Sequence, residues 1–467
     1  MRNQSKSVPT EQLERDPTLD VIILNTAELG DRSYIVHDGS NALVIDPQRD
    51  ISRVLGAVKA ANLTIKAVAE THIHNDYVTG GYELSKTLGV PYLVNAGDEV
   101  AFERTSVSDG YQLEVGELTI TVIATPGHTP THVSYLAVDK TGKGAIFSGG
   151  SLLYGSVGRP DLLGPDWVDF LARSQFQSVH KLANTLPDNY DVQPTHGFGS
   201  FCSSSSGEAG SASTIGNEKK TNFALLLTDE DEFKSVLLGG LDAWPAYYQF
   251  MGAANLSGPS AYFDKVPTQL SEGEFLSHLE KGSFVADIRT AEQYAAGNIP
   301  GTYAIPLGSS FSTYLGWIYP WNTDIVLVTA SQDDATEAQK LLARIGIDSV
   351  VGYYLIEDTT KQELASRSLR VAKFTDLQDA MSLGDVCVLD VRRNDEHRGS
   401  HISGSRHIPI HELPARLNEL DDLRNDEVWV HCAGGYRATL ASSILANAGF
   451  RVVAIDDNYS ESFAAKS

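Results

Sequence analysis

VADIRTAEQYAAGNIPGTYAIPL, residues Val285–Leu307, and VLDVRRNDEHRGSHISGSRHIPI, residues Val388–Ile410, are two versions of one text. Asp287 pairs with Asp390, Arg289 with Arg392, Ile299 with Ile402, Gly301 with Gly404 and Pro306 with Pro409. Each pair is 103 residues apart (390 − 287). The offset persists through Ala338 and Ala441, Leu342 and Leu445, and Gly346 and Gly449. A fixed period held that far marks a repeated structural unit. Two copies of one domain are therefore expected at 262–365 and 366–467.

Within each copy, short apolar runs alternate with helical spacing. FVADI and CVLDV are first runs, and IVLVT and VWVHC are second runs. An Ala/Leu-rich stretch such as ATLASSILANAG follows each second run. Strands alternating with helices predict a parallel sheet covered by helices. Upstream the pattern changes. After a polar arm at 1–20, residues 21–261 mix strand pairs, such as SYIVHDGSNALVIDP with its Asp-Gly-Ser turn, with helical stretches such as ISRVLGAVKAAN. The Ser/Gly-rich SFCSSSSGEAGSASTIGNEKK reads as a loop or linker, and Leu225–Gly252 as helices that lead into the first repeat.

The bulk properties agree with a multidomain globular chain. Its 467 residues suggest roughly three domains at ~150 residues each. Hydrophobic residues at 42% supply several cores. No apolar run approaches the ~20 residues of a membrane span, and the polar N-terminus lacks a secretory pattern, so a cytoplasmic protein is expected. A net charge of −24 repels phosphate backbones, which argues against nucleic acid as a partner. Nothing in the sequence opposes a homo-oligomer. With only Cys202, Cys387 and Cys432, a disulfide framework is not expected and a reducing compartment fits.

HCAGGYRA places Cys432 after the apolar run VWV and before a helical stretch. A strand-to-helix turn aims backbone N–H groups and a helix N-terminus at its occupant, which favours a thiolate. Gly434 and Gly435 let the loop curl, and Arg437 adds a fixed positive charge. Four residues separate Cys432 from Arg437. A phosphate-binding cysteine loop is longer; this one suits a single sulfur atom. In the first repeat, Thr329 and Asp334 stand at the matching positions within TASQDDA, so that copy carries no nucleophile and reads as a structural or docking domain. Cys387 falls inside the strand VCVLDV and reads as a core thiol. DVRRNDEHRGSHISGSRHIPI followed by HCAGGYRA resembles the rhodanese family over nearly all of 366–467, which implies sulfane-sulfur transfer through Cys432.

THIHNDYVTGG supplies a second constellation. His72, His74 and Asp76 alternate on a turn after the strand-like IKAVAE and can converge on one point. His128 in TPGHTP and His196 in PTHGFGS also follow strands. Histidines at strand ends flanked by Gly and Pro suit a metal. This part resembles the metallo-β-lactamase superfamily, with its αββα sandwich, over about 20–215. Within it the chain resembles the persulfide dioxygenases fused to two rhodanese domains, on VIDPQRD, THIHNDYVTGG, TPGHTPTHVSYL, VGRPDLL, HGFGSFC and STIGNEKKTN.

The resemblance implies several things. One Fe(II) would be held by His72, His128 and a carboxylate, and would oxidise low-molecular-weight persulfides to sulfite. Cys432-persulfide and sulfite would then give thiosulfate. Tyr77 stands where many superfamily members have a second-site histidine. Arg159 and Asp161 would sit at the substrate mouth, and Cys202 near the persulfide pocket as a sulfur relay or an inert loop thiol. The sequence departs from the family at the third ligand, where Ser148-Gly149-Gly150 replaces a turn ending in Asp. Three readings stay open: iron on His72 and His128 completed by His74 or water, zinc on His72, His74 and His128, or no metal. Asp76 and His196 are alternative ligands. The corresponding activities are a persulfide dioxygenase, a thioesterase-like zinc hydrolase, or a metal-free persulfide-binding module. Glycine at 150 is expected to leave room for Gly150→Asp to restore the ligand.

Overall fold

In a computed structural model, the structure describes residues 14–16, 20–204, 212–260, 262, 265–356, 364 and 366–463. The chain divides into two compact units. The first is Met1–Phe263 with Ala343–Gly346, and the second is Asp264–Leu342 with Ile347–Ser467.

Strand alternation builds the first unit. In Asp20–Thr26, Val21 and Ile23 point to one face while Ile22 and Leu24 point to the other. In Asn41–Ile45, Leu43 and Ile45 share the first face and Ala42 and Val44 the second. Successive side chains of a strand alternate, so both faces of this seven-stranded sheet are apolar and both must be covered. The first face packs on Leu118, Ile120, Val122, Val133, Tyr135 and Phe147 of a six-stranded sheet. The second is covered by helices Ser52–Ala60 and Gly81–Leu88, through Val54, Ala57, Val58 and Leu84. Ile146 and Val192, on the outer face of the six-stranded sheet, pack against Ala172, Val179 and Leu182 of helix Pro165–Thr185. The order is helix, sheet, sheet, helix: the expected αββα sandwich.

The expected linker is not one throughout. Residues 205–211 lie outside the described residues. Ser213–Thr214, however, pairs with Asp191–Pro194, and Thr214 caps the helix Ile215–Thr221 by accepting from the Asn217 amide. That helix carries buried Glu218, which Asn222 contacts through Nδ2 at 2.8 Å. Ser and Thr favour helix caps as well as linkers, so composition alone misplaces this stretch. Helices Glu230–Gly239 and Tyr248–Ser257 follow as expected.

The second unit holds two parallel sheets. Phe284–Asp287 lies between Tyr303–Ala304 and Ile325–Thr329, with Val350–Leu355 beyond. Cys387–Asp390 lies between Arg406–His407 and Glu427–His431, with Arg451–Ile455 and Arg370–Ala372 beyond. The repeat recurs bond for bond. Arg289 grips Asp287 and donates to the Gly297 carbonyl, as Arg392 grips Asp390 and donates to that of Ser400. Asp287 pairs with Val328 as Asp390 pairs with His431, which aligns Thr329 with Cys432 as the offset requires. Each copy has its own core, and a small cluster of Tyr294, Ala304, Leu369 and Ala454 joins them.

Candidate functional site

At one end of the sandwich, loops that follow Asn41–Ile45, Thr64–Ala69, Leu118–Ala124, Gly144–Gly149 and Asp191–Pro194 bring five histidines together. His72, His74, His128, His132 and His196 are all at most 2% exposed. Hydrogen bonds behind the rings fix which nitrogen faces the centre. Asp46 accepts from the Thr71 amide at 2.7 Å and from its hydroxyl at 2.8 Å, so Thr71 Oγ1 can accept from His72 Nδ1 at 2.9 Å. His128 Nδ1 donates to the Arg159 carbonyl at 2.8 Å. His196 Nδ1 faces Asp31 at 2.8 Å and Asp76 at 3.1 Å. Each contact leaves Nε2 pointing inward. These three nitrogens lie within 4.8 Å of one another.

The fit to a cation follows from two observations. His128 Nε2 is buried and has no hydrogen-bond partner. His72 Nε2 and His196 Nε2 approach to 3.3 Å, a distance that requires a shared proton or a cation between them. Three imidazole nitrogens with room for a fourth donor suit zinc, and a divalent cation in general. His74 is placed differently from His72 and His128. Its Nε2 faces Asp46 at 3.3 Å, Glu70 at 3.2 Å and the Tyr77 hydroxyl at 3.0 Å, while its Nδ1 has no partner. A second group, His74, Asp76 and His196, includes a carboxylate and shares His196 with the first.

The electrostatics are those of a sealed pocket. Burial pushes His72 well below its ordinary value, helped by the neighbouring imidazoles, and lowers His128 to about 3. Burial opposes charge on His74 too, but Asp46 and Glu70 outweigh it and raise the ring to about 9. Burial and the charge of Asp76 push the Asp31 carboxyl up, against the opposing pull of His196.

Gly150 does not leave the expected room. A Cβ there would meet His128 Cδ2 at 2.2 Å and Cγ at 2.7 Å. The obstacle is the buried ring, not the backbone. The Gly150 amide donates to His132 Nε2 at 2.9 Å, and the His132 ring stacks on His72 at 4.9 Å. Here the turn packs against histidines instead of presenting a ligand.

Other expected residues have settled roles. Arg159 is buried and spends its guanidinium on Asp161 at 2.7 and 2.8 Å and on the carbonyls of Phe201 and Asp242. It clamps the loop and offers its carbonyl to His128. Cys202 is fully buried, and burial together with Asp76 and Asp31 raises its thiol well above the ordinary value. It is a buried thiol beside Asp76 and Tyr248.

In the second unit, strand Glu427–His431 delivers Cys432 to a loop that closes into helix Tyr436–Asn447. Cys432 is 2% exposed, and the Gly435 amide donates to its Sγ at 3.1 Å. Arg437 forms a two-pronged ion pair with Glu396, at 2.5 and 2.8 Å. In the first repeat, Thr329 Oγ1 instead pairs with Ser331. Cys387, expected in the core, is only partly buried at its strand end.

Comparison with known proteins agrees with both halves. The metallo-beta-lactamase superfamily matches residues 29–194 and the rhodanese-like domain matches residues 373–464. The chain is a metallo-β-lactamase domain fused to a rhodanese domain. The human protein named "Persulfide dioxygenase ETHE1, mitochondrial" is 27% identical over 49% of this chain and 81% of its own length. A Prochlorococcus marinus hydroxyacylglutathione hydrolase is 32% identical over 33% of this chain. The match spans 60% of that hydrolase. A metallo-β-lactamase from Staphylococcus aureus, a solved structure, is 28% identical with a TM-score of 0.65, covering 73% of this chain and 99% of its own. That coverage takes in more than the metallo-β-lactamase domain. No helix of the described residues is long and apolar enough to cross a membrane.

Sequence reasoning did not reach every member of these sites. Asp31 and Asp46 in the metallo-β-lactamase domain, and Glu396 in the rhodanese domain, act by meeting partners far along the chain, whereas Glu70 meets His74 four residues on and His132 meets Thr125 seven residues back. The Thr-Pro-Thr-His run ending at His132 and the acid at 396 were the only local signals.

Proposed function

We propose that this chain is a persulfide-metabolising enzyme. Cys432 transfers sulfane sulfur, and the N-terminal domain handles low-molecular-weight persulfides at a divalent cation held by His72, His128 and His196. The observation that carries the reading is the Cys432 loop, where a backbone N–H meets the sulfur at 3.1 Å and a locked arginine sits one turn on. In the first half-reaction the Cys432 thiolate attacks the outer sulfur of a donor R–S–S⁻. A Cys432–S bond forms, the donor's S–S bond breaks, and R–S⁻ leaves. In the second, sulfite attacks the terminal sulfur of Cys432–S–S⁻; thiosulfate forms and the thiolate returns. The Gly435 amide stabilises anionic sulfur throughout. Because Arg437 is tied to Glu396, its charge holds the loop's field steady and does not travel with substrate. Thiols, persulfides and sulfite are thus the expected partners, in a reducing, cytoplasmic compartment. Cys432→Ser in the full chain should abolish transfer from thiosulfate or glutathione persulfide to cyanide. Undiminished transfer would remove the reading.

At the histidine pocket a bound divalent cation would supply Lewis acidity or, if iron, a site for O₂ chemistry. His72, His128 and His196 would hold it, with His74 Nδ1 and Asp76 nearest as further donors, while Asp31, Asp46 and the Arg159 carbonyl keep the rings oriented. A zinc-dependent hydrolase is the second reading, favoured by the all-nitrogen donor set and by the absence of a carboxylate at Gly150. Metal analysis of the purified chain, with O₂ uptake on glutathione persulfide, separates them. Iron with uptake supports persulfide dioxygenase activity; zinc without uptake supports the hydrolase.

A further inference from the structure

The first repeat lacks a nucleophile, yet it reaches the second repeat's sulfur site. Helix Phe311–Ile318 of the first repeat carries Tyr314, whose ring packs on that of Tyr436 at 5.4 Å. Tyr436 belongs to the Cys432 loop, and its hydroxyl donates back to the Pro306 carbonyl of the first repeat at 3.0 Å. Behind Tyr314, Trp317 stands at 5.4 Å and stacks on His411 of the second repeat at 5.1 Å. Tyr314 is half-buried, and its hydroxyl makes no hydrogen bond to the described residues. The charges close enough to act on that hydroxyl are Arg437, Cys432, Glu396 and Arg393, the groups of the transfer site itself.

A phenol held among such groups without a partner is a donor waiting for an acceptor. Arg437 is committed to Glu396, so the anionic end of an incoming donor needs another hydrogen bond. We propose that Tyr314, carried by the silent repeat, is a substrate-binding residue of the Cys432 site and donates its hydroxyl to the anionic sulfur or oxygen of the sulfane donor. This rests on the sulfur-transfer reading of Cys432. The silent repeat would then persist because it completes the site, and its own loop is free to lose the nucleophile.

The test uses the full chain with thiosulfate as donor and cyanide as acceptor. Tyr314→Phe keeps the ring against Tyr436 and removes only the hydroxyl. A lost hydrogen bond to a charged group predicts a rise in KM for thiosulfate of about tenfold or more, with kcat within about twofold. Alkylation of Cys432 gives an independent readout. Anionic iodoacetate should react more slowly with Tyr314→Phe, and neutral iodoacetamide at an unchanged rate. An unchanged KM, or equal slowing of both reagents, would overturn the proposal, the latter because it shows a packing role alone. Cys432→Ser guards the premise. If that variant still transfers sulfur, the underlying reading fails instead, whatever Tyr314→Phe does.

Discussion

Arg437 is buried, at 8% exposed, and both of its guanidinium prongs engage the partly buried carboxylate of Glu396. Removing one partner of such a pair leaves an uncompensated charge, which typically costs about 3–5 kcal/mol. Glu396→Gln should therefore destabilise the rhodanese domain and slow sulfur transfer, while Cys432 itself remains alkylatable. It also has a pH signature. Burial raises the Glu396 carboxyl, but the Arg437 hydrogen bond and charge overcome it and hold the group below its ordinary 4.5. A depressed carboxylate contributes stability that is present above the ordinary value and lost as pH falls through the folded value. Melting between about pH 6 and pH 3 should fall more steeply for wild type than for Glu396→Gln; parallel curves would dismiss the pair as a source of acid sensitivity. At the histidine pocket, Gly150→Asp is expected to harm. Its Cβ would lie 2.2 Å from the His128 ring, so either the ring or the turn must shift. Overpacking of this kind costs roughly 1–3 kcal/mol. Metal content and melting temperature should both drop. A variant with higher metal occupancy than wild type would show that His128 yields and the carboxylate is accepted.

The Cys432 loop works as an element because one glycine takes a conformation that other residues resist. Gly435 has φ of 94°, and a Cβ there would lie 2.1 Å from Asp456 Oδ1. Gly435→Ala should cost about 1–3 kcal/mol and pull the amide away from Cys432 Sγ. Transfer should fall by at least about tenfold, the scale of losing one hydrogen bond to a charged group. Retained activity with a normal melting curve would mean that the amide contact is incidental. The loop was readable in the sequence because its parts are neighbours: strand, cysteine, glycines and arginine follow one another. The sheets of the two repeats were readable for a related reason, since a 103-residue offset fixes both register and the Thr329–Cys432 correspondence. The histidine pocket was only half readable. His72, His128 and His196 announced themselves at strand ends, but the partners that choose the inward nitrogens of His128 and His196 come from distant parts of the chain. Asp31 lies 165 residues from His196, and Arg159 lies 31 from His128. Gly150 shows the same limit from the other side, because whether an added carboxylate fits depends on a ring 22 residues away that no local pattern places. Composition misled at 213–221, where serine and threonine cap a helix instead of loosening a linker.

At the scale of the whole chain, the apolar cores fall into two sets. Val21, Tyr34, Phe147 and their neighbours, with the helices on either side, come from the metallo-β-lactamase domain. Phe275, Val326, Trp429 and theirs come from the repeats. Cooperative melting follows contiguous cores, so two transitions are expected. The histidine pocket belongs to the first set. A cation that binds the folded domain and not the unfolded chain stabilises it by about 2.7 kcal/mol when present at 100 times its dissociation constant. For a domain of this size that is a shift of roughly 5–10 °C. Chelation of the purified chain should therefore lower one transition by about that much and leave the other in place. Transfer from thiosulfate to cyanide should survive chelation, because Cys432, Gly435 and Arg437 need no metal. Calorimetry with and without chelator, paired with the cyanide assay on the same samples, decides the matter. If both transitions moved together, or if transfer were lost with the metal, the two chemistries would be thermodynamically coupled. The histidine pocket would then have to be regarded as a regulator of sulfur transfer as well as a site of its own.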